Sequence, residues 1–162
     1  MTTSPRRLRF DSLQQEAFLN LWRTYDRLRQ EEDALFEQYQ LTAQQYNALR
    51  LLKARHPEPV ATLALQSRLV SRAPDITRMI DRLEERGWIA RQRPPENRRL
   101  VLLTLTPAGL ALLESLAEPV RACSERQLGH LSAKQLKDLV RLLELARDPH
   151  EESSGPWKPQ GE

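Results

Sequence analysis

Residues 69–109 read LVSRAPDITRMIDRLEERGWIARQRPPENRRLVLLTLTPAG, and this stretch decides the fold. Ile76, Ile80 and Leu83 recur at helical spacing, while Arg72, Asp75, Thr77, Arg78, Asp81, Arg82 and Glu85 fall on the other faces. The helix is expected to open near Ala73-Pro74, because proline suits a first helical turn, and to close at Gly87. Two β-prone runs, Trp88–Arg93 and Leu100–Leu105, then flank PPENRR and predict a hairpin with a basic, proline-rich tip. Its arms are too short to stand alone and must lean on the preceding helices. Thr106-Pro107 opens the next helix, with Thr106 as N-cap and Pro107 at its first position.

Working outward, Thr62–Leu69 predicts a short helix with Leu65 and Leu69 inward, joined to the first by the tight turn VSRA. Upstream, LTAQQYNALRLLKARHP begins with Thr42 and Gln45 at capping-box spacing and ends at His56-Pro57. A long helix is expected from about Ser12 to Tyr39, with Ser12 and Gln15 as another capping box. Its apolar surface includes Leu13, Phe18, Leu21, Trp22, Tyr25, Leu28, Leu35 and Phe36. That is too broad for packing on one side only and suggests contact with a second subunit as well. Downstream, the helix from Pro107 should reach about Gly129, with a kink near Pro119. Ser132 and Gln135 cap a last helix, to about Arg147, with Leu136, Leu139, Val140, Leu143 and Ala146 as its stripe.

The fold class is therefore mainly α with a small β-hairpin wing: a winged helix-turn-helix flanked by N- and C-terminal dimerisation helices. Residues 1–11 read as a flexible basic arm and 12–147 as a single domain, with a winged helix over about 42–106 and dimerisation helices over about 12–39 and 107–147. Residues 148–162, polar and rich in proline and glycine, read as a disordered tail.

A hydrophobic content of 40% is lean for a self-sufficient monomer of 162 residues, which again points to a homodimer. The net charge is only +3 and the pI about 9.3, but the charge is not spread evenly. Between Arg68 and Arg99 lie nine arginines and five acids, a local excess that exceeds the charge of the whole chain. A basic block on a neutral body marks a face for nucleic acid. A single cysteine, Cys123, excludes a disulfide framework and a cysteine-rich zinc site, and reads as a packed apolar residue. His56, His130 and His150 are dispersed, so no metal site is expected. No phosphate-cradling glycine loop and no nucleophile motif is present, so neither a cofactor nor catalysis is expected. No apolar run has membrane length and the N-terminus lacks a signal peptide's apolar core, which makes the cytoplasm the expected compartment.

Two short helices joined by a tight turn and followed by a wing form a DNA-reading arrangement, in which the second helix offers its N-terminal residues to the major groove. Arg72, Ala73, Pro74, Asp75, Thr77 and Arg78 occupy that end. Arginine can read guanine, and threonine a thymine methyl or a phosphate. Arg98 and Arg99 at the hairpin tip suit a minor groove. Arg82 and Arg86 have two readings, DNA contact or pairing with acids of their own helix, and Asp75 reads better as a helix-start residue than as a base reader. Trp22, Tyr25, Tyr46 and Arg50 could line a pocket for a small aromatic effector, or could be ordinary core and dimer packing.

LTAQQYNALRLL, LVSRAPDITRMIDRLEERGWIARQR and NRRLVLLTLTPAG together resemble the MarR family of bacterial regulators over about residues 12–147. The resemblance implies a dimeric winged-helix protein that binds pseudo-palindromic double-stranded DNA, usually as a repressor. It also implies release by a small, often aromatic or phenolic, ligand bound between the dimerisation and DNA-binding regions. It places Arg99 at the family's wing arginine. The family usually carries aspartate two residues before that arginine, where this chain has Asn97, so the salt bridge that would position the wing is expected to be weakened or replaced by a hydrogen bond. Two other classes fit the same fold: a winged-helix protein-interaction module, against which the arginine block argues, and a nonspecific architectural DNA binder.

Overall fold

The structure is a computed structural model and describes residues 10–71 and 75–151. In chain order the elements are α1 (Leu13–Glu37), α2 (Ala43–Lys53), β1 (Val60–Ala61), α3 (Thr62–Arg68), α4 (Ile76–Glu85), β2 (Ile89–Gln92), β3 (Leu102–Leu105), α5 (Pro107–Leu128) and α6 (Ala133–Arg147). A 3-10 turn over Asp148–His150 follows, so the segment expected to be disordered starts as one ordered turn. The arm over residues 1–9 and the tail over 152–162 lie outside the described residues, as do Arg72, Ala73 and Pro74.

Local chemistry explains most boundaries. Thr42 and Gln45 form a complete capping box at the start of α2, and Ser132 and Gln135 form another on α6. Thr106 caps α5 with Pro107 inside its first turn, and α5 runs on through Pro119 to the C-cap Gly129. Gly87 ends α4 with φ +70, the left-handed conformation that glycine adopts without steric cost.

Three expectations are corrected. Helix α4 begins at Ile76 with Asp75 as N-cap, two residues later than the proline signal suggested, because the Asp75 carboxylate accepts the Arg78 N–H and closes the helix there. Ser12 caps α1, but the Gln15 side chain reaches Asp11 N–H at 2.8 Å rather than returning to Ser12, so that box is only half made. The wing strands are also shorter than expected. Leu100 N–H turns back to the Asn97 carbonyl at 3.0 Å and so leaves the ladder, and at the other end Arg93 runs into Pro94, which has no N–H to pair.

The sheet has three strands in the order β1-β3-β2, all antiparallel. The two-residue β1, absent from the sequence reading, pairs Val60 with Leu103, while Arg91 pairs with Leu103 from the other side. Leu103 and Leu105 are buried and Leu102 and Thr104 half-buried, as the alternation of a strand requires. Around this sheet the core draws on Ala48, Leu49 and Leu52 of α2, Leu65 and Leu69 at α3, and Met79, Ile80 and Leu83 of α4. Ile76, expected in the buried stripe, is only half-buried, and Met79 takes its place. Leu35 and Phe36 at the end of α1, with Leu113, Leu116 and Cys123 of α5, close the core. Truncating a fully buried leucine such as Leu83 or Leu103 to alanine costs about 2–5 kcal/mol.

The flanking helices contrast with this core. Helix α1 buries only Leu35 and Phe36 of its 25 residues, and α6 buries none. Phe18 and Trp22 are each 62% exposed, and Leu13, Leu21, Tyr25, Val140, Leu142 and Leu145 are also exposed.

Candidate nucleic-acid interface

The reading helix is fastened on three sides. On one, α2 grips the helix-turn-helix: Asn47 Oδ1 accepts Val70 N–H at 3.1 Å, and the Gln44 amide approaches Ser71 Oγ at 3.5 Å. On the second, the Thr106 hydroxyl donates to the Gly87 carbonyl, and Thr106 N–H bonds the Trp88 carbonyl at 3.1 Å. Gly109 lies against that same joint; a Cβ there would stand 2.1 Å from the Trp88 carbonyl oxygen, so only glycine allows α5 to start so close. On the third, Arg91 of β2 joins the wing to α4. Its Nε donates to Glu84 Oε2 at 2.7 Å and its Nη2 to Asp81. These charge-assisted bonds hold the Arg91 guanidinium firmly protonated, its pKa raised above the ordinary arginine value by Glu84 first and Asp81 second.

Of the candidate reading residues, Asp75, Thr77 and Arg78 are exposed at the start of α4. Asp75 is engaged as the helix cap, which leaves Thr77 and Arg78 as the outward-facing pair. Arg72, Ala73 and Pro74 lie outside the described residues. Arg82 and Arg86 do not pair with the acids of their own helix. The partner of Asp81 is Arg91, and the Arg86 guanidinium sits 5.1 Å from the centre of the Trp88 ring, a cation–π contact.

At the wing tip both Arg98 and Arg99 are exposed. Asn97 organises the turn: its N–H reaches the Pro94 carbonyl at 3.1 Å and its Oδ1 accepts the Arg99 N–H at 3.2 Å. Of the two outcomes open for Asn97, a hydrogen bond is present, and its donor is the Arg99 backbone N–H rather than the guanidinium. Arg93 donates to the Arg98 carbonyl at 3.1 Å and braces the same turn.

The four candidate effector residues do not form one group. Tyr46 stacks on buried Phe36 with ring centres 4.6 Å apart, and the Arg50 guanidinium lies 6.0 Å from the Tyr46 ring. Burial raises the Tyr46 phenol pKa, and it also raises that of the Glu32 carboxyl nearby. Trp22 and Tyr25 lie on the exposed part of α1, where Trp22 meets Phe18 at 6.3 Å. None of the four lines the two cavities beside α4. The larger, about 400 Å³, lies among Gln40, Leu41, Thr42, Gln45, Arg82, Glu85, Arg86 and Trp88. The smaller, about 270 Å³, lies among Thr42, Gln44, Gln45, Asp75, Arg78, Met79 and Arg82. Sequence reasoning missed both Arg91 as a clamp and the α2 residues beside α4, because each depends on a contact between elements.

Among the described residues no group of three or more His, Cys, Asp or Glu side chains could hold a metal ion, and no helix is long and apolar enough to cross a membrane.

A family model described as MarR family matches residues 41–101, the span from the start of α2 to the start of β3. A crystal structure of a MarR transcription factor from Planctomyces limnophilus has a TM-score of 0.68 at 61% identity, covering 85% of this chain and 99% of that one. A mutant MarR from E. coli complexed with operator DNA has a TM-score of 0.68 at 26% identity, covering 84% of this chain and 99% of that one. The transcriptional regulator PecS of Dickeya dadantii is 31% identical over 87 residues, 53% of this chain and 52% of PecS, so the match spans about half of that relative.

Proposed function

Because this chain belongs to the MarR family, we propose that it is a sequence-specific DNA-binding transcriptional regulator, a homodimer that represses by covering a pseudo-palindromic operator. The observation that carries this reading is the division of labour among the arginines. Arg91 is taken up between Glu84 and Asp81, while Arg78 at the start of α4 and Arg98 and Arg99 at the wing tip are left exposed. Exposed guanidiniums at the start of α4 and at the wing tip support a major-groove reader with a minor-groove wing.

The exposed apolar residues of α1 and α6 support the homodimer, since a second copy would remove them from water. Two reading helices related by a two-fold axis would then enter successive major grooves about one DNA turn apart. Such a protein binds rather than catalyses, and works where the chromosome is, in the cytoplasm.

A small aromatic acid is the effector this reading carries, with the Tyr46–Arg50 contact as its support. Trp22 and Tyr25 would join that site only across the dimer.

Selection of binders from a pool of random duplexes tests the function. Enrichment of one pseudo-palindrome with a fixed half-site spacing supports it. Retention of the pool without enrichment means an architectural binder, and no retention at low salt means a protein-interaction module.

A further inference from the structure

The strand ladder of the wing ends at the Gln92–Leu102 pair, so the tip beyond it has no sheet to hold it. Burial does not hold it either, because Arg93 and residues 95–99 are exposed. Four hydrogen bonds among the described residues shape the tip, and Asn97 takes part in three of them. Asn97 N–H donates to the Pro94 carbonyl at 3.1 Å, and the Asn97 carbonyl accepts Leu100 N–H at 3.0 Å. Its side-chain Oδ1 accepts Arg99 N–H at 3.2 Å. The fourth bond runs from the Arg93 guanidinium to the Arg98 carbonyl at 3.1 Å. Each of the four ends on a main-chain group, and the guanidiniums of Arg98 and Arg99 enter none of them.

The tip carries Arg93, Arg98 and Arg99 against one acid, Glu96, and no ion pair joins these residues among those described. The ion pairs of the wing lie at its base, where Arg91 meets Glu84 and Asp81. An uncharged amide suits this division. Asparagine closes a local turn on the N–H two residues on, as aspartate does. A carboxylate in the same place would bond the same N–H but would also attract the guanidiniums beside it. An arginine so engaged must give up or share that pair before it meets a phosphate. The Asn97 amide supplies the turn without the charge.

We propose that Asn97 is the positioning residue of the wing: it sets the tip by bonding main-chain groups alone, and so brings Arg98 and Arg99 to duplex DNA with both guanidiniums uncommitted. This rests on the DNA-binding reading above and adds to it how the wing arginines are held. Asn97 acts through these two arginines and need not touch a base.

Three variants separate the turn from the charge. Asn97→Asp keeps the acceptor for Arg99 N–H and adds a charge. Asn97→Ala removes the acceptor and adds none. Asn97→Ser keeps a weaker acceptor, its hydroxyl, and stays neutral. Each is titrated onto the duplex upstream of the chain's own gene, and onto random duplex, across a salt series, with urea melts beside. All three should melt close to the wild type, because the position is exposed. Asn97→Asp should bind about fivefold more weakly at low salt, with a salt dependence shallower by about one ion. Asn97→Ala should bind about threefold more weakly with the wild-type salt dependence, and Asn97→Ser should recover most of that loss. Binding by Asn97→Asp as tight as the wild type's would overturn the proposal, since a charge at the tip would then cost nothing. An Asn97→Ala variant that binds as the wild type does would overturn it too, and either result leaves the DNA-binding reading in place. If the wild type binds neither duplex at low salt, that reading fails and the role of Asn97 with it.

Discussion

Arg91 of β2 reaches back across the Gly87 turn to Glu84 of α4, Nε to Oε2 at 2.7 Å, and the same guanidinium holds Asp81 one turn earlier. The wing and the reading helix are therefore tied together by one side chain. An arginine that the sequence counts toward a basic face is in fact neutralised by two carboxylates and adds no free positive charge for DNA.

Arg91→Met should lower unfolding stability by about 1–2 kcal/mol, since two charge-assisted bonds at a partly exposed site are lost and two carboxylates are left to repel each other. DNA affinity should fall with it, because the wing tip no longer has a fixed place relative to α4. Arg91→Lys should recover little, because an ammonium lacks the planar fork that spans two acids. Urea melts read beside duplex titrations check both.

Gly109→Ala should be more damaging than its size suggests. The added methyl meets the Trp88 carbonyl, and the backbone of α5 must shift to admit it, at a cost of about 1–3 kcal/mol. Thr106→Val removes the cap and its bond to Gly87 without crowding, and should cost about 0.5–2 kcal/mol. The two substitutions touch one joint, so the double variant should cost less than the sum.

If the proposed homodimer forms through these faces, Trp22→Glu together with Leu145→Glu should leave a monomer with the helical content retained, because neither side chain is buried in the single chain. Sedimentation gives the mass, and binding to a palindrome should fall toward that of a single half-site. A dimer of undiminished stability would move the interface elsewhere.

Burial raises the Cys123 thiol pKa above its ordinary value. A raised pKa means less thiolate at any given pH below it, so alkylation by iodoacetamide at pH 8 should be slow in the folded protein and rapid in urea. Rapid labelling of the native protein would show that α5 opens around Cys123.

What the sequence made legible is what short-range chemistry decides. The capping pairs Thr42–Gln45 and Ser132–Gln135, the Thr106-Pro107 start and the Gly87 stop each lie within a few residues, and all stand in the structure. So does the inward face of Leu65, Leu69, Ile80 and Leu83. What was not legible depends on distance in the fold. Strand β1 is two residues long, too short to show a period, and exists because β3 offers it an edge. The Arg91 clamp spans seven and ten residues between a strand and a helix, a separation no periodicity encodes. The half-made box at Ser12 turned on a local competition, which the Asp11 amide won for the Gln15 side chain.

The central claim is sequence-specific DNA binding through Arg78 and Arg99, and fluorescence anisotropy tests it most directly. Wild type and an Arg78→Ala/Arg99→Ala variant are titrated with the duplex upstream of the chain's own gene and with random duplex of equal length, across a salt series. The wild type should prefer its own duplex and weaken steeply with salt, and the variant should lose the preference. Equal binding of both duplexes by the wild type, or a preference that survives in the variant, would contradict it.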